Sequence, residues 1–207
     1  MMAAASLWMA DVDGVADEDL PRLCDWLSAS EMARYRRFVR TLRQRQFVAG
    51  RVLARMALGS LLGVAPRDVV LEDRPGQAPL LKSPAPRGGL PGFSIAHSGR
   101  WVACAVSGQT ALGLDIEMRD PQRDLAALAA QAFDADEMTQ WVRLRELDEA
   151  RRVAGFYGLW SAKEARFKLG VAAAAHSVML PHEELSVVLC SELPLKAPPA
   201  ITLVAVP

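Results

Sequence analysis

The chain has 207 residues, 51% of them hydrophobic, and its 24 basic and 24 acidic residues cancel to a formal net charge of zero. No apolar run is long enough to span a bilayer, and the first residues lack the pattern of a signal peptide, so we expect a cytoplasmic protein with no membrane partner. The three cysteines, Cys24, Cys104 and Cys190, are widely spaced and odd in number. This argues against a disulfide framework and against a cysteine-based zinc site.

Charge is unevenly distributed along the chain. Residues 34–55 contain eight arginines and no acidic residue, whereas acids gather at 115–120 and 134–149. The arginine-rich segment predicts a nearby anionic ligand or partner. A nucleic acid is the alternative partner, but the aromatic interleaving and overall basic charge of such a protein are missing, so we expect none.

Helices dominate the first third of the chain. The patterns predict a strand and then three helices, at 1–11, 17–27, 30–38 and 44–62. Gly63 directly follows the longest of these helices and is a typical stop residue. A short strand at 69–71, a turn at 73–76 and a loop rich in Pro and Gly at 79–92 come next.

The remaining elements repeat this order of helices and strands. Three strand candidates joined by short turns predict an antiparallel meander, at 93–96, 101–106 and 111–117. Helices and then two final strands follow, at 125–133, 137–147, 150–169, 185–190 and 200–206. We therefore predict an α+β protein with two similar halves, residues 1–108 and 109–207, each a small antiparallel sheet packed with helices.

Candidate chemistry begins in the predicted meander. Asp115 and Glu117 flank Ile116 in a strand, and the two-residue period of a strand places both carboxylates on one face. Two carboxylates without a nearby His or Cys suit Mg²⁺ rather than zinc. The alternative is that both acids are solvated residues of an edge strand. His97 and Ser98 lie in a tight turn whose donors suit a phosphate group, although the composition is also that of an ordinary turn.

The helix at 156–169 carries charges in unusual positions. Phe156, Trp160 and Phe167 are predicted to form one apolar face with Leu159, and Lys163 falls within that face. Glu164 and Lys168 stand at i, i+4, so the simplest interpretation is an ion pair that stabilises the helix by a few tenths of a kcal/mol. Glu164 and Lys168 would have a different role only if other segments of the chain brought functional groups close to this helix.

Several segments together resemble the successive motifs of one enzyme family. They are RRF at 36–38, FVAGRVLAR at 47–55, FSIAHSGRW at 93–101, GLDIE at 113–117 and WSAKEARFK at 160–168. This set resembles the Sfp-type 4′-phosphopantetheinyl transferases over most of residues 30–190. The resemblance implies a pseudo-twofold fold with a ligand in the cleft between its halves. It further implies transfer of the phosphopantetheine arm of coenzyme A to a serine of an acyl or peptidyl carrier protein, with release of 3′,5′-ADP.

The resemblance also assigns roles to particular residues. Asp115, Glu117 and Glu164 match the magnesium-binding acids of the family, Lys168 matches a lysine that contacts the pyrophosphate, and Glu164 is the candidate base for the serine proton. His97 matches a contact of the 3′-phosphate. The other expected coenzyme ligands are Arg34, Arg43, Arg45, Arg51 and Ser98. The carrier is expected to dock near residues 170–181, and we expect a monomer.

The chain departs from the family pattern at four positions. Gln77, Ala96, Glu31 and Gln46 stand where many relatives have a basic residue or, for Ala96, a serine. These departures affect the expected 3′-phosphate contacts more than the metal site. Gln77 and Ala96, together with a C-terminal half that is short for the family, leave open an alternative, a homologue that binds coenzyme A or a carrier but has lost catalysis.

Overall fold

Two sheets, each packed against one long helix, organise the part of the chain that the computed structural model describes, residues 1–85, 89–170 and 175–207. The strands are β1 Ser6–Asp11, β2 Val70–Glu72, β3 Leu80–Ser83, β4 Gly92–Ser98, β5 Trp101–Ser107, β6 Leu112–Met118, β7 His176–Leu180, β8 Leu185–Ser191 and β9 Ile201–Leu203. The α-helices are α1 Leu20–Cys24, α2 Ala29–Tyr35, α3 Thr41–Leu62, α4 Leu125–Ala132, α5 Ala135–Leu144 and α6 Glu149–Leu169.

The first sheet has the strand order β4-β5-β1-β9 and packs against α3. Antiparallel pairs join β4 to β5 and β5 to β1, whereas β9 runs parallel to β1 and brings Ile201 opposite Leu7. Leu53 and Ala57 of α3 are buried against Val102 and Cys104 of β5. The C-terminal strand β9 therefore belongs to the sheet of the N-terminal half, and the division at residue 108 stays a prediction.

The second sheet has the order β6-β8-β7 and packs against α6. On its other side α6 meets α4 and α5, where Phe156 lies among Phe133, Trp141 and Tyr157. Each half thus contains one long helix, of 22 residues in α3 and 21 in α6, and a sheet that is antiparallel except for the β1–β9 pair. The predicted α+β class with two similar halves is confirmed.

The two sheets meet along β4 and β6. These strands do not form a backbone ladder; instead the Ser94 hydroxyl accepts the Leu114 N–H at 2.9 Å and the Ser98 hydroxyl accepts the Met118 N–H at 3.0 Å. The predicted meander is therefore wrong at its third strand, because β6 pairs with β8. Serine side chains, rather than a hairpin, hold the halves together here.

Two further strands were not predicted. β3 lies inside the predicted loop at 79–92, and β7 lies inside the segment expected to receive the carrier. Residues 171–174 of that segment lie outside the described residues. The helix α3 starts at Thr41 rather than at residue 44 and ends where predicted, at Gly63, which has a φ of 68°.

Across the described ranges, no helix combines the length and apolar character that crossing a membrane requires.

Candidate active site

A cavity of about 600 Å³ lies between the two halves. Its walls come from α3, β4, the turn at 74–79 and the last turn of α6. The lining side chains that carry charge or an aromatic ring are Arg34, Arg43, Arg51, Arg74, His97, Lys168, Phe47, Phe93 and Phe167. The wall is therefore strongly cationic, which suits an anionic ligand.

Lys168 connects this cavity to the acidic pair on β6. Its Nζ donates to Asp115 Oδ1 at 2.8 Å, and its side chain is 31% exposed and lines the cavity. The ion pair expected from the helical spacing, Glu164 with Lys168, is absent from the described residues. Lys168 instead lines the cationic cavity and at the same time contacts a carboxylate of β6.

The strand period was predicted correctly for the acids. Ile116 is fully buried in the core between the sheets, while Asp115 faces α6. Gly113, two residues earlier, faces α6 as well: a Cβ there would overlap the carbonyl oxygen of Ala165. The glycine of the GLDIE segment lets α6 lie close to β6, and this approach brings Lys168 within reach of Asp115.

The environment favours the neutral form of both β6 acids. Burial raises the pKa of Asp115, and Glu164 adds to that rise, while Lys168 lowers it. The Ser161 hydroxyl is buried and makes no hydrogen bond among the described residues. Burial likewise raises the pKa of Glu117, which accepts a hydrogen bond from the Ser98 hydroxyl at 2.8 Å. A bound cation would offset the loss of hydration of these two buried carboxylates and so stabilise their ionised forms.

The described residues contain no ready cluster of three metal-ligating side chains. The donor chemistry nevertheless fits a hard cation. Asp115 Oδ2 is buried without a hydrogen-bond partner, Glu117 has an oxygen to which no described residue donates a hydrogen bond, and Glu164 is half-buried near Asp115. Oxygen donors of this kind, supplemented by water and phosphate, are what Mg²⁺ prefers.

Half of the eight arginines of the 34–55 segment pair with carboxylates of the first half. Arg51 lies 2.7 Å from Asp73 and 3.3 Å from Glu31, and Arg55 lies 2.6 Å from Glu31, all nearly buried. Arg34 shares Asp73 at 2.9 Å. Arg34 and Arg51 do line the cavity, but each has a carboxylate partner. Three arginines against two acids leave this network one positive charge in excess.

Two expected coenzyme ligands lie elsewhere. Arg45 pairs with Asp17 at 2.7 Å and does not line the cavity. Ser98 uses its hydroxyl on Glu117 and on the Met118 N–H, so it supports the acid pair instead of facing the cavity.

Arg43 and His97 do face each other in the cavity. Arg43 Nη1 lies 2.7 Å from His97 Nε2, and its guanidinium stacks over the Phe38 ring at 5.2 Å. His97 is exposed by surface area, yet desolvation by the cavity wall, followed by Arg43 and Lys168, lowers its pKa to about 4. The imidazole is therefore neutral at pH 7 and accepts a hydrogen bond from Arg43.

Two side chains of the α6 motif differ from expectation. Lys163, which falls within the predicted apolar face, has a charged partner there, because its Nζ donates to Glu137 Oε2 of α5 at 2.7 Å. Phe167 does not join the apolar face, because it is 82% exposed at the cavity wall. Sequence reasoning also missed Asp73, which pairs with Arg34 and Arg51, and Arg74, which lines the cavity, because the composition of their segment indicated only a turn.

The chain is similar in sequence to known proteins. Residues 111–192, which include the acids of β6 and all of α6, match the model of the 4′-phosphopantetheinyl transferase superfamily. The 4′-phosphopantetheinyl transferase HetI of Nostoc sp. is 33% identical over 162 residues, which are 78% of this chain and 66% of that protein. The chain belongs to the 4′-phosphopantetheinyl transferase superfamily.

Other phosphopantetheinyl transferases are similar over comparable lengths. The phosphopantetheinyl transferase of Thraustochytrium sp. is 30% identical over 80% of this chain and 60% of its own length. The transferase Sfp of Bacillus subtilis is 28% identical over 74% of this chain and 64% of its own. The chain spans about two thirds of the length of these curated relatives. The resemblance to Sfp-type transferases inferred from the motifs is confirmed.

Proposed function

We propose that this protein transfers the 4′-phosphopantetheine arm of coenzyme A to a serine of an acyl or peptidyl carrier protein and releases 3′,5′-ADP. The observation that carries the proposal is the Lys168–Asp115 contact. It joins a cationic cavity, suited to a ligand with several phosphates, to an acidic site suited to phosphoryl transfer. The motifs on both sides of that contact lie within the matched residues 111–192.

In the proposed reaction the serine oxygen attacks the phosphorus that bears the pantetheine arm. The new serine O–P bond forms as the pyrophosphate O–P bond breaks, and 3′,5′-ADP leaves with that bridging oxygen. Lys168, at the cavity wall, would bind the pyrophosphate and offset the charge that develops on the leaving oxygens. Arg34, Arg43 and His97 would hold the coenzyme by its phosphate groups.

Glu164 is the proposed base for the serine proton. It is half-buried and takes part in no ion pair among the described residues, so its carboxylate is free to accept a proton directly or through water. Asp115, Glu117 and Glu164 would together hold Mg²⁺, which when bound supplies further neutralisation of pyrophosphate charge.

The test is incubation with several apo carrier proteins, coenzyme A and Mg²⁺, followed by intact-mass analysis of each carrier. We expect one added phosphopantetheine arm and equimolar 3′,5′-ADP. Omitting Mg²⁺ in the presence of a chelator should abolish transfer and so tests the metal separately. No modified carrier in any reaction would reject the proposal.

The alternative of a catalytically impaired homologue has no observation in its favour, since Asp115, Glu117, Glu164 and Lys168 are all present. The monomeric state and the cytoplasmic location stay predictions, which light scattering and cell fractionation would check.

A further inference from the structure

Arg43 differs from the other arginines of α3 in the partners of its guanidinium. Arg34, Arg45, Arg51 and Arg55 each contact a carboxylate. The partners that the structure gives Arg43 are all uncharged: the amide oxygen of Gln46 at 2.6 Å, the ring of His97 at 2.7 Å and the face of Phe38. Among the described residues of α3, Arg43 thus presents a full positive charge to the cavity.

Gln46 makes this arrangement possible. It lies one turn after Arg43 on α3 and is almost fully buried. Its Oε1 accepts from Arg43 Nη1, while its Nε2 donates to the Gly99 carbonyl at 2.6 Å. Both ends of the amide are used, so the side chain has one orientation. The amide fixes Arg43 relative to the turn between β4 and β5, the turn that follows His97.

Neither charged relative of glutamine would serve both ends. A glutamate would neutralise Arg43 and would lose the donor to Gly99. A lysine or arginine would place a second cation beside Arg43 and could not accept its hydrogen bond. A neutral amide keeps the guanidinium oriented and leaves its charge available to a ligand.

On the basis of the proposed function, we infer that Gln46 is a positioning residue for coenzyme A: it holds Arg43 beside His97 so that the guanidinium meets a phosphate group of the coenzyme. The position where the family resemblance leads one to expect a basic residue is here a support for a cation one helical turn earlier. The departure at Gln46 therefore belongs to the binding site and does not weaken it.

The test is steady-state kinetics of carrier modification with Gln46→Met, which keeps the side-chain length and removes both hydrogen bonds. We expect the KM for coenzyme A to rise about tenfold with kcat nearly unchanged, since a charge-assisted hydrogen bond is misplaced. Gln46→Glu should raise the KM at least as much. Gln140→Met, the same change at an exposed position of α5, should leave the KM unchanged.

A double-mutant cycle separates positioning from a general effect on the fold. In an Arg43→Ala background, Gln46→Met should change the KM by less than about twofold, because the group through which it acts is gone. An equal rise in both backgrounds would overturn the inference, as would an unchanged KM in Gln46→Met and Gln46→Glu. Thermal melting of each variant identifies any loss of fold.

Calorimetric titration of the wild-type protein with coenzyme A keeps the two proposals apart. If the wild type binds coenzyme A and Gln46→Met binds it equally well, only the positioning role is rejected. If the wild type neither binds coenzyme A nor modifies a carrier, the proposed function itself is rejected.

Discussion

The helices α3 and α6 occupy equivalent places in the two halves but treat their charges differently. In α3, Arg45, Arg51 and Arg55 each pair with a carboxylate of the same half. In α6, Lys168 reaches to Asp115 at the cavity edge, and Glu164 pairs with no cation among the described residues. The arginine-rich segment 34–55 was predicted to lie near an anionic ligand, yet four of its eight arginines pair with carboxylates of the same half.

The difference separates charges that hold the fold from charges that serve a ligand. A buried pair such as Glu31 with Arg55 is costly to break, because one partner is left unpaired in a dry interior. A buried acid such as Asp115, which has a raised pKa and an unpartnered oxygen, instead lowers the stability of the folded state. A role in catalysis would account for this loss of stability.

The largest expected effect comes from removing the acid at the centre of the α3 network. Glu31→Gln leaves the buried guanidinium of Arg55 without its carboxylate and Arg51 with Asp73 alone. We expect a loss of about 3–5 kcal/mol in the free energy of unfolding, measured with urea. Activity per folded molecule should be retained. Asp68→Asn, at an exposed acid, is the matched control. A stable Glu31→Gln protein with lost coenzyme binding would mean that Glu31 serves the ligand site and not the fold.

The opposite outcome is expected for Asp115→Asn. The kcat of carrier modification should fall about 10²–10³-fold, the effect of losing one electrostatic group of an active site. The melting temperature should be unchanged or higher, because burial raises the pKa of Asp115 and the ionised form therefore costs the folded state. Folded Asp115 binds a proton more readily than unfolded Asp115, so the wild type gains stability as pH falls through the raised pKa.

The stability gap between Asp115→Asn and the wild type should consequently narrow between pH 7 and pH 4. Asp136→Asn, an exposed acid of α5, should show no such gap. Near-normal turnover of Asp115→Asn would mean that the acid pair is structural.

A smaller effect on both properties is expected for Gly113→Ala. The added Cβ overlaps the Ala165 carbonyl, so α6 must move away from β6, at about 1–3 kcal/mol of stability. The same movement separates Lys168 from Asp115 and should lower kcat. Gly108→Ala is the control, since its Cβ would meet only Leu61 at 3.9 Å. Normal turnover in Gly113→Ala would show that the close approach of α6 is not needed for chemistry.

The smallest effect is expected for Arg45→Ala. Its partner Asp17 is 66% exposed, and such surface pairs contribute about 0–1 kcal/mol. The KM for coenzyme A should stay at the wild-type value, in contrast to Arg43→Ala. A raised KM for Arg45→Ala would mean that Arg45 contributes to coenzyme binding, so that the charges of α3 would serve the ligand as those of α6 do.

Sequence patterns predicted the features that local periodicity determines. The alternation around Ile116 gave the common face of Asp115 and Glu117, and Gly63 gave the end of α3. Both follow from backbone geometry within a few residues. The helix α6 was also predicted from its periodicity, and it is so long that an error of a residue at either end does not matter.

Features that depend on distant parts of the chain were not predictable. The short turn after β5 resembled a hairpin, but pairing of β6 with β8 rather than β5 is decided by the second half. Lys168 had an acceptor four residues away in sequence, yet Asp115 on another element is its partner. Lys163 looked misplaced on an apolar face because Glu137 of α5, which receives it, is remote in sequence. Spacing along one helix cannot identify such partners.

The parallel pairing of β9 with β1 has a consequence for folding. Leu7 and Ile201 are neighbours in the first sheet although almost the whole sequence separates them. During synthesis the edge of β1 that pairs with β9 stays unpaired until the second half has left the ribosome. Bringing β9 back to β1 also closes a very long loop, which carries an entropic cost. The first half therefore cannot complete its sheet alone. We expect the two halves to fold slowly and as one cooperative unit, like other folds rich in distant contacts.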